Sequence, residues 1–202
     1  SPMAVPVRVG LPLSLADLED VALRGRRVEF DDGARQKVVA SRRAVDALTE
    51  GGDAAPRVYG VNTGFGALSE TRISASDVRA LQRNLIRSHA TGIGPNLPIP
   101  AVRAMMLLRA QVIALGHSGA RALLVEQLLA MLNAGVHPRI PSQGSVGASG
   151  DLAPLAHLAL TMIGEGEASW DPPNGEPFGD REASRVLKPS PEVLAKAGVA
   201  AV

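Results

Sequence analysis

The stretch Gly144-Ser145-Val146-Gly147-Ala148-Ser149-Gly150-Asp151-Leu152-Ala153-Pro154-Leu155-Ala156-His157 sets Ala-Ser-Gly among glycines and immediately before a helix start. Asp151 is placed to cap that helix, with Leu152 and Ala153 at its first positions and Pro154 in the first turn, where its missing N–H is harmless. The tripeptide permits an unusual reaction. If the Gly150 amide nitrogen attacks the Ala148 carbonyl carbon, which needs a compressed turn that only small or absent side chains allow, loss of one water closes a five-membered imidazolone ring. Loss of a second water, from the Ser149 hydroxyl, leaves an exocyclic methylidene conjugated with the ring. The product is a backbone electrophile, and helix dipoles aimed at it would sharpen it. A glycine turn or a phosphate cradle is the plainer reading of such a stretch alone. The phosphate version fits poorly, because Gly-x-x-Gly-x-x-Gly has neither the Gly-Lys-Ser/Thr ending nor the Gly-x-Gly-x-x-Gly order.

Two further blocks precede it: Tyr59-Gly60-Val61-Asn62-Thr63-Gly64-Phe65-Gly66, and Leu81-Gln82-Arg83-Asn84-Leu85-Ile86-Arg87-Ser88-His89-Ala90-Thr91-Gly92-Ile93-Gly94. In order and spacing the three blocks resemble the N-terminal part of the ammonia-lyases that carry methylidene-imidazolone, most closely the histidine ammonia-lyases. The resemblance implies a 4-methylidene-imidazol-5-one cofactor formed autocatalytically from Ala148-Ser149-Gly150. It also implies that Tyr59 is the catalytic base and that His89, in the Ser88-His89 pair, lies near the imidazole of the substrate. Leu152 is a further candidate for the pocket wall. Read without the resemblance, Tyr59 is a half-buried tyrosine with one hydroxyl partner, and His89 is a satisfied histidine on an apolar helix face. As a base, a phenol of ordinary pKa about 10 has to be poised to ionise near neutrality.

What the resemblance implies for the whole enzyme is non-oxidative deamination of L-histidine to trans-urocanate, in a cytoplasmic homotetramer whose active sites combine several subunits. Members of that family are considerably longer, so the chain is expected to be an N-terminal portion that is inactive on its own. Two alternatives remain. One is an enzyme of the same superfamily acting on tyrosine or phenylalanine, as an ammonia-lyase or an aminomutase; the other is a non-catalytic truncated helical module.

Composition bounds the remaining possibilities. The 202 residues are 46% hydrophobic with a formal net charge of +1, which suits one core-forming domain and gives no electrostatic reason to expect a nucleic-acid partner. The absence of cysteine removes disulfides and thiolate metal sites. His117, His137 and His157 have no metal-ligand spacing on one helix face, so no metal is expected. The longest apolar run, residues 101–115, is interrupted by Arg103, Arg109 and Gln111 and is short of the ~20 residues that span a bilayer. No membrane partner is expected. Met3 behind Ser1-Pro2 suggests two appended residues.

The expected fold is mainly α: a mixed N-terminal region with a short strand and loops (residues 4–95), then the start of a truncated long-helix bundle of the ammonia-lyase/fumarase-like type (98–164). A Pro-, Gly- and charge-rich surface excursion and an incomplete helix follow (165–202). Ser14 with Asp17 opens a helix ending near Gly25, and Asp32 begins a second that stops before Gly51-Gly52. A β-like segment over 57–61 delivers Tyr59 into its loop. From Ser76 a helix carries Val78, Leu81, Leu85 and His89 on one face, which points His89 inward, with Arg79, Arg83 and Arg87 on another. Arg72, Arg83 and Arg87 read as solvated or ion-paired surface. Helices over about 101–115, apolar nearly all round, and 120–133 follow. Residues 171–176 read as a turn, and 192–202 as a helix without a stop signal.

Overall fold

Ser14 is the first strong structural signal in the chain. Its side chain accepts from the Asp17 amide while Asp17 reaches back, a reciprocal cap that starts α1 (Leu15–Arg24), and the helix ends at Gly25. The computed structural model describes residues 5–64, 70–71, 73–145, 152–179 and 186–202. Helix α1 is the crossover between β1 (Val7–Val9) and β2 (Val28–Phe30), which pair in parallel with Val7 opposite Val28. Asp31 caps α2 (Asp32–Thr49) by accepting from the Ala34 amide.

Residues 57–61 form a turn where the sequence suggested a strand. The Val61 and Asn62 amides both donate to the Val58 carbonyl. The Asn62 side chain takes the backbone groups a ladder would need: Oδ1 accepts from Val58 N at 2.8 Å and Nδ2 donates to Pro56 O at 2.9 Å. Helix α3 (Ala75–His89) follows, capped by Ser74. It leads to β3 (Ile93–Asn96), which pairs antiparallel with β5 (Pro141–Gln143) across an irregular register.

Helices α4 (Ile99–Ala114) and α5 (Ala122–Ala134) carry the core. Val102, Met106, Leu107 and Ala110 of α4 and Val125, Leu128, Met131 and Leu132 of α5 are wholly buried, as are Val9, Val21 and Val28 of the N-terminal unit. Each large apolar side chain so buried contributes about 1.5–3 kcal/mol relative to exposure. Arg103, which interrupts the apolar run, is buried too, at 0% exposure. The opposite face of α4 is bare, with Leu108, Val112 and Leu115 exposed. Among the described residues no helix is long and apolar enough to cross a membrane.

The segment after Gly164 is more structured than its composition suggested. Strand β6 (Glu167–Trp170) lies between β4 (Val136–Pro138) and β7 (Lys188–Pro189) in an antiparallel sheet. Ala168, Ser169 and Phe178 are buried. These residues are therefore part of the core, although residues 171–179 form no helix or strand. The last helix, α7 (Ser190–Ala197), stops at Gly198, whose φ of 70° places it in the left-handed region that closes a helix. The expected run-on helix over 192–202 is thus corrected: Val199 and Val202 turn back, their amides donating to Leu194 O and Met162 O.

Candidate active site

Helix α6 (Leu152–Met162) starts where the sequence placed its first position. Ala148, Ser149, Gly150 and the expected cap Asp151 lie outside the described residues, as do Phe65, Gly66 and Arg72. Their described flanks are Ser145, two residues past the end of β5, and Leu152 at the head of α6. The chemistry of the tripeptide fits the ring closure: an alanine carbonyl, a serine hydroxyl and a glycine amide in order, with glycine at Gly144 and Gly147 before them. Leu152 is 50% exposed, an apolar side chain at the mouth of this segment.

His89 is brought to the same place by sheet pairing. The chain leaving α3 becomes β3, and Ile93 lies opposite Gln143, so the segment after His89 runs antiparallel to the segment leading toward the tripeptide. The two cross closely. A methyl built on Gly92 would come within 3.1 Å of His157 Nε2, 3.2 Å of Pro141 Cβ and 3.3 Å of Gln143 O. One built on Gly144 would lie 3.1 Å from Gly92 Cα and 3.0 Å from Ala153 Cβ. Two glycines therefore permit an approach that a Cβ on either would crowd.

Helices α3 and α6 are tied at two points. Arg87 grips Glu165 with Nε to Oε2 at 2.9 Å and Nη2 to Oε1 at 2.7 Å. This pair holds the Glu165 carboxyl below its ordinary range and the Arg87 guanidinium above its own. The expected ion-paired surface role of Arg87 is met, and Arg83 is exposed. At the second tie His157 Nε2 accepts the Gly92 amide at 3.0 Å. Burial, and then the charge of Arg139, push the His157 pKa down, which favours the neutral ring that accepts the Gly92 amide.

The His89 side chain is half-buried where the helical pattern pointed it inward. It occupies the last position of α3, where no further turn covers it. Nδ1 lies 2.9 Å from Leu85 O and 3.1 Å from Ser88 Oγ. A carbonyl only accepts, so Nδ1 carries the proton and Nε2 of the neutral ring is an acceptor.

Tyr59 lies on the turn that precedes α3. It is 65% exposed on the turn held by Asn62, over a surface hollow of about 370 Å³ lined by Arg57, Tyr59, Thr63 and Glu70. Arg57 Nη1 donates to Glu70 O at 2.8 Å, and Ile73 N donates to Asn62 O at 3.3 Å. The turn is thus anchored at the start of α3, and His89 is at the end of that 15-residue helix, a length of about 22 Å at ~1.5 Å per residue. Of the sequence candidates, His89 ends α3 and Leu152 begins α6, and Tyr59 lies on the turn before α3.

His137 is buried against Arg103 and, edge-on, Phe178. Among the described residues no cluster of three or more His, Cys, Asp or Glu side chains is arranged to hold a metal ion. The residues missed by sequence reasoning are Asn62, which shapes the Tyr59 turn, and His157, which holds Gly92.

Comparison with known proteins bears on this arrangement. The family model described as aromatic amino acid lyase matches residues 13–202. A histidine ammonia-lyase of Sorangium cellulosum is 61% identical over 194 residues, covering 96% of this chain and 35% of that relative. Among solved structures, an ergothionase from Treponema denticola superposes with a TM-score of 0.84 at 34% identity, over 98% of this chain and 37% of its own. A histidine ammonia-lyase from Trypanosoma cruzi gives 0.81 at 35% identity, over 98% of this chain and 35% of its own. The chain spans about a third of the length of the relatives it matches.

Proposed function

The chain belongs to the aromatic amino acid lyase family, and we propose that the enzyme it forms part of eliminates ammonia from L-histidine to give trans-urocanate. The observation that carries this reading is the β3–β5 pairing, which lays the chain leaving His89 beside the chain leading to Ala148-Ser149-Gly150. In this reading a histidine-binding side chain precedes one of the two paired strands, and the segment that forms an electrophile follows the other.

In this reading Ala148, Ser149 and Gly150 cyclise with loss of two waters. The resulting 4-methylidene-imidazol-5-one supplies an electrophilic carbon that turns the amine of a bound amino acid into a better leaving group. His89 selects the substrate: its Nε2, left as an acceptor by the Nδ1 bond to Leu85 O, takes the N–H of the substrate imidazole. A phenylalanine ring has no donor to offer there, and an acceptor left unpaired in the closed site disfavours it. Leu152 gives the ring an apolar wall. Tyr59 takes the β-proton onto its phenolic oxygen, which requires the ionised form.

A base 65% exposed in this chain needs cover to work in a water-poor site. We assign that cover, and the remaining substrate contacts, to the other two-thirds of the relatives' length and to neighbouring subunits of a homotetramer in the cytoplasm. The 202 residues alone are accordingly inactive. The test is ammonia release by the intact enzyme from histidine, phenylalanine and tyrosine supplied separately. Turnover of histidine with little of the other two supports the proposal. Preference for phenylalanine or tyrosine, or migration of the amine, would replace the substrate, and no turnover at all would favour a non-catalytic module.

A further inference from the structure

We infer that His157 is a positioning residue for His89, acting through the Gly92 amide. The inference rests on the proposed role of His89 and deepens it. His89 lies at the end of α3, with Ala90 N bonded to Ile86 O and Thr91 N to His89 O. Beyond Thr91, the next backbone donor is Gly92 N, and His157 Nε2 accepts it at 3.0 Å. The imidazole belongs to α6, the helix that begins directly after the tripeptide, so this bond joins the segment leaving His89 to the element that continues from Ser149.

The crossing beneath the bond is close because neither Gly92 nor Gly144 carries a side chain. Gly92 has Pro141, Gln143 and His157 around its missing Cβ, and Gly144 has Ala153 and Gly92 around its own. A displacement of Gly92 is therefore passed to Gly144 on one side and to His89, three residues back, on the other. His157 meets the requirement for such a post. It is an acceptor only while neutral, and its burial together with the Arg139 charge favours that form. Arg139 is itself engaged, with Nη1 on Glu167 at 2.9 Å and Nε on Asn96 Oδ1 at 3.2 Å. Asn96 ends β3, the strand that Gly92 precedes.

The experiment uses the intact enzyme and three variants. His157→Leu removes the acceptor at similar volume, and His157→Gln restores an acceptor oxygen. Gly92→Ala keeps the acceptor but forces the crossing apart; the glycine is not at a positive φ, so only the crowding changes. Expected is a fall in kcat/KM for histidine of about a hundredfold in His157→Leu and Gly92→Ala, the scale of an ångström-sized misplacement, with most of it recovered in His157→Gln. The peptide containing residues 148–150 should still lack two waters in every variant. Hydrogen exchange supplies a readout independent of activity: the Gly92 amide should be protected in the wild type and exposed in His157→Leu.

If His157→Leu matches the wild type in kcat/KM, or the Gly92 amide exchanges freely in the wild type, the inference is overturned. It is overturned equally if His157→Leu retains the two waters, because His157 would then act on ring formation instead of on His89. Should His157→Leu not fold, Gly92→Ala and the wild-type exchange decide. A wild-type enzyme that does not use histidine defeats the proposed function itself, which separates the two failures.

Discussion

Replacing Arg103 by methionine tests how the core tolerates a buried charge. The guanidinium is 0% exposed, and among the described residues no carboxylate lies within salt-bridge reach of it. Its Nε donates to Val21 O at 2.9 Å, and its Nη1 donates to Leu132 O at 3.0 Å and lies 3.2 Å from His137 Nε2. Val21 and Leu132 sit in the last turns of α1 and α5, where carbonyls lack intrahelical donors and the helix dipole is negative. Two helix ends thus stand in for a counter-ion, and the Phe178 ring adds its face at 4.6 Å.

Burial still opposes the charge. It lowers the Arg103 pKa from its ordinary value to about 10, against the partial support of Asp171; at about 1.4 kcal/mol per unit this is a cost of roughly 3 kcal/mol. Methionine relieves that cost but strands two carbonyls and an imidazole nitrogen, each about 1–3 kcal/mol. The net expectation is destabilisation by about 2–4 kcal/mol. Urea unfolding of the chain, followed by the fluorescence of its single tryptophan, Trp170, should show a midpoint lower by about 1–2 M. Arg103→Lys should do no better than methionine, since one ammonium cannot span three separated acceptors. A methionine variant as stable as the wild type would refute the idea that the helix ends hold the charge, and a fully stable lysine variant would show that the fork geometry is unimportant.

Three other predictions concern the site. Because the His157 pKa is lowered, the unfolded chain takes up a proton that the native one refuses as pH falls through about 6.5, so stability should decline toward acid; urea midpoints between about pH 7.5 and 5 should show a slope that is flatter in His157→Gln. Asn62→Ala removes both bonds that shape the Tyr59 turn, together about 1–2 kcal/mol, and limited trypsin digestion should then cut after Arg57 faster than in the wild type. Tyr59→Phe in the intact enzyme should lower kcat by about 10²–10⁴-fold, as expected for losing a general base, while water loss from residues 148–150 is unchanged; near-normal turnover would remove Tyr59 from the mechanism.

Helix positions were legible because their caps are local. Ser14 with Asp17, and Asp31 before Ala34, announce α1 and α2 within a few residues. The strands were not, since pieces as short as Val7–Val9 and Val136–Pro138 are too brief for a period of two to stand out, and their pairing partners lie 21 and about 30 positions away. The Tyr59 segment misled because Val58 and Tyr59 favour strands, whereas the Asn62 side chain takes the Val58 amide and the Pro56 carbonyl. At the site, the three motif blocks named His89, Leu152 and Tyr59, but the Gly92–His157 bond joins residues 65 apart and has no local signature. Arg103 offered a hint that went unread: a single cation within an otherwise apolar helix face signals a buried charge needing acceptors.

The claim on which the rest depends is that Ala148-Ser149-Gly150 matures into an electrophile beside His89. Its most direct test is the mass of the peptide containing these residues, taken from the intact enzyme. A mass short by two waters is the predicted result; a peptide at full mass from a folded, purified enzyme would contradict the reading and leave the family's fold without its chemistry.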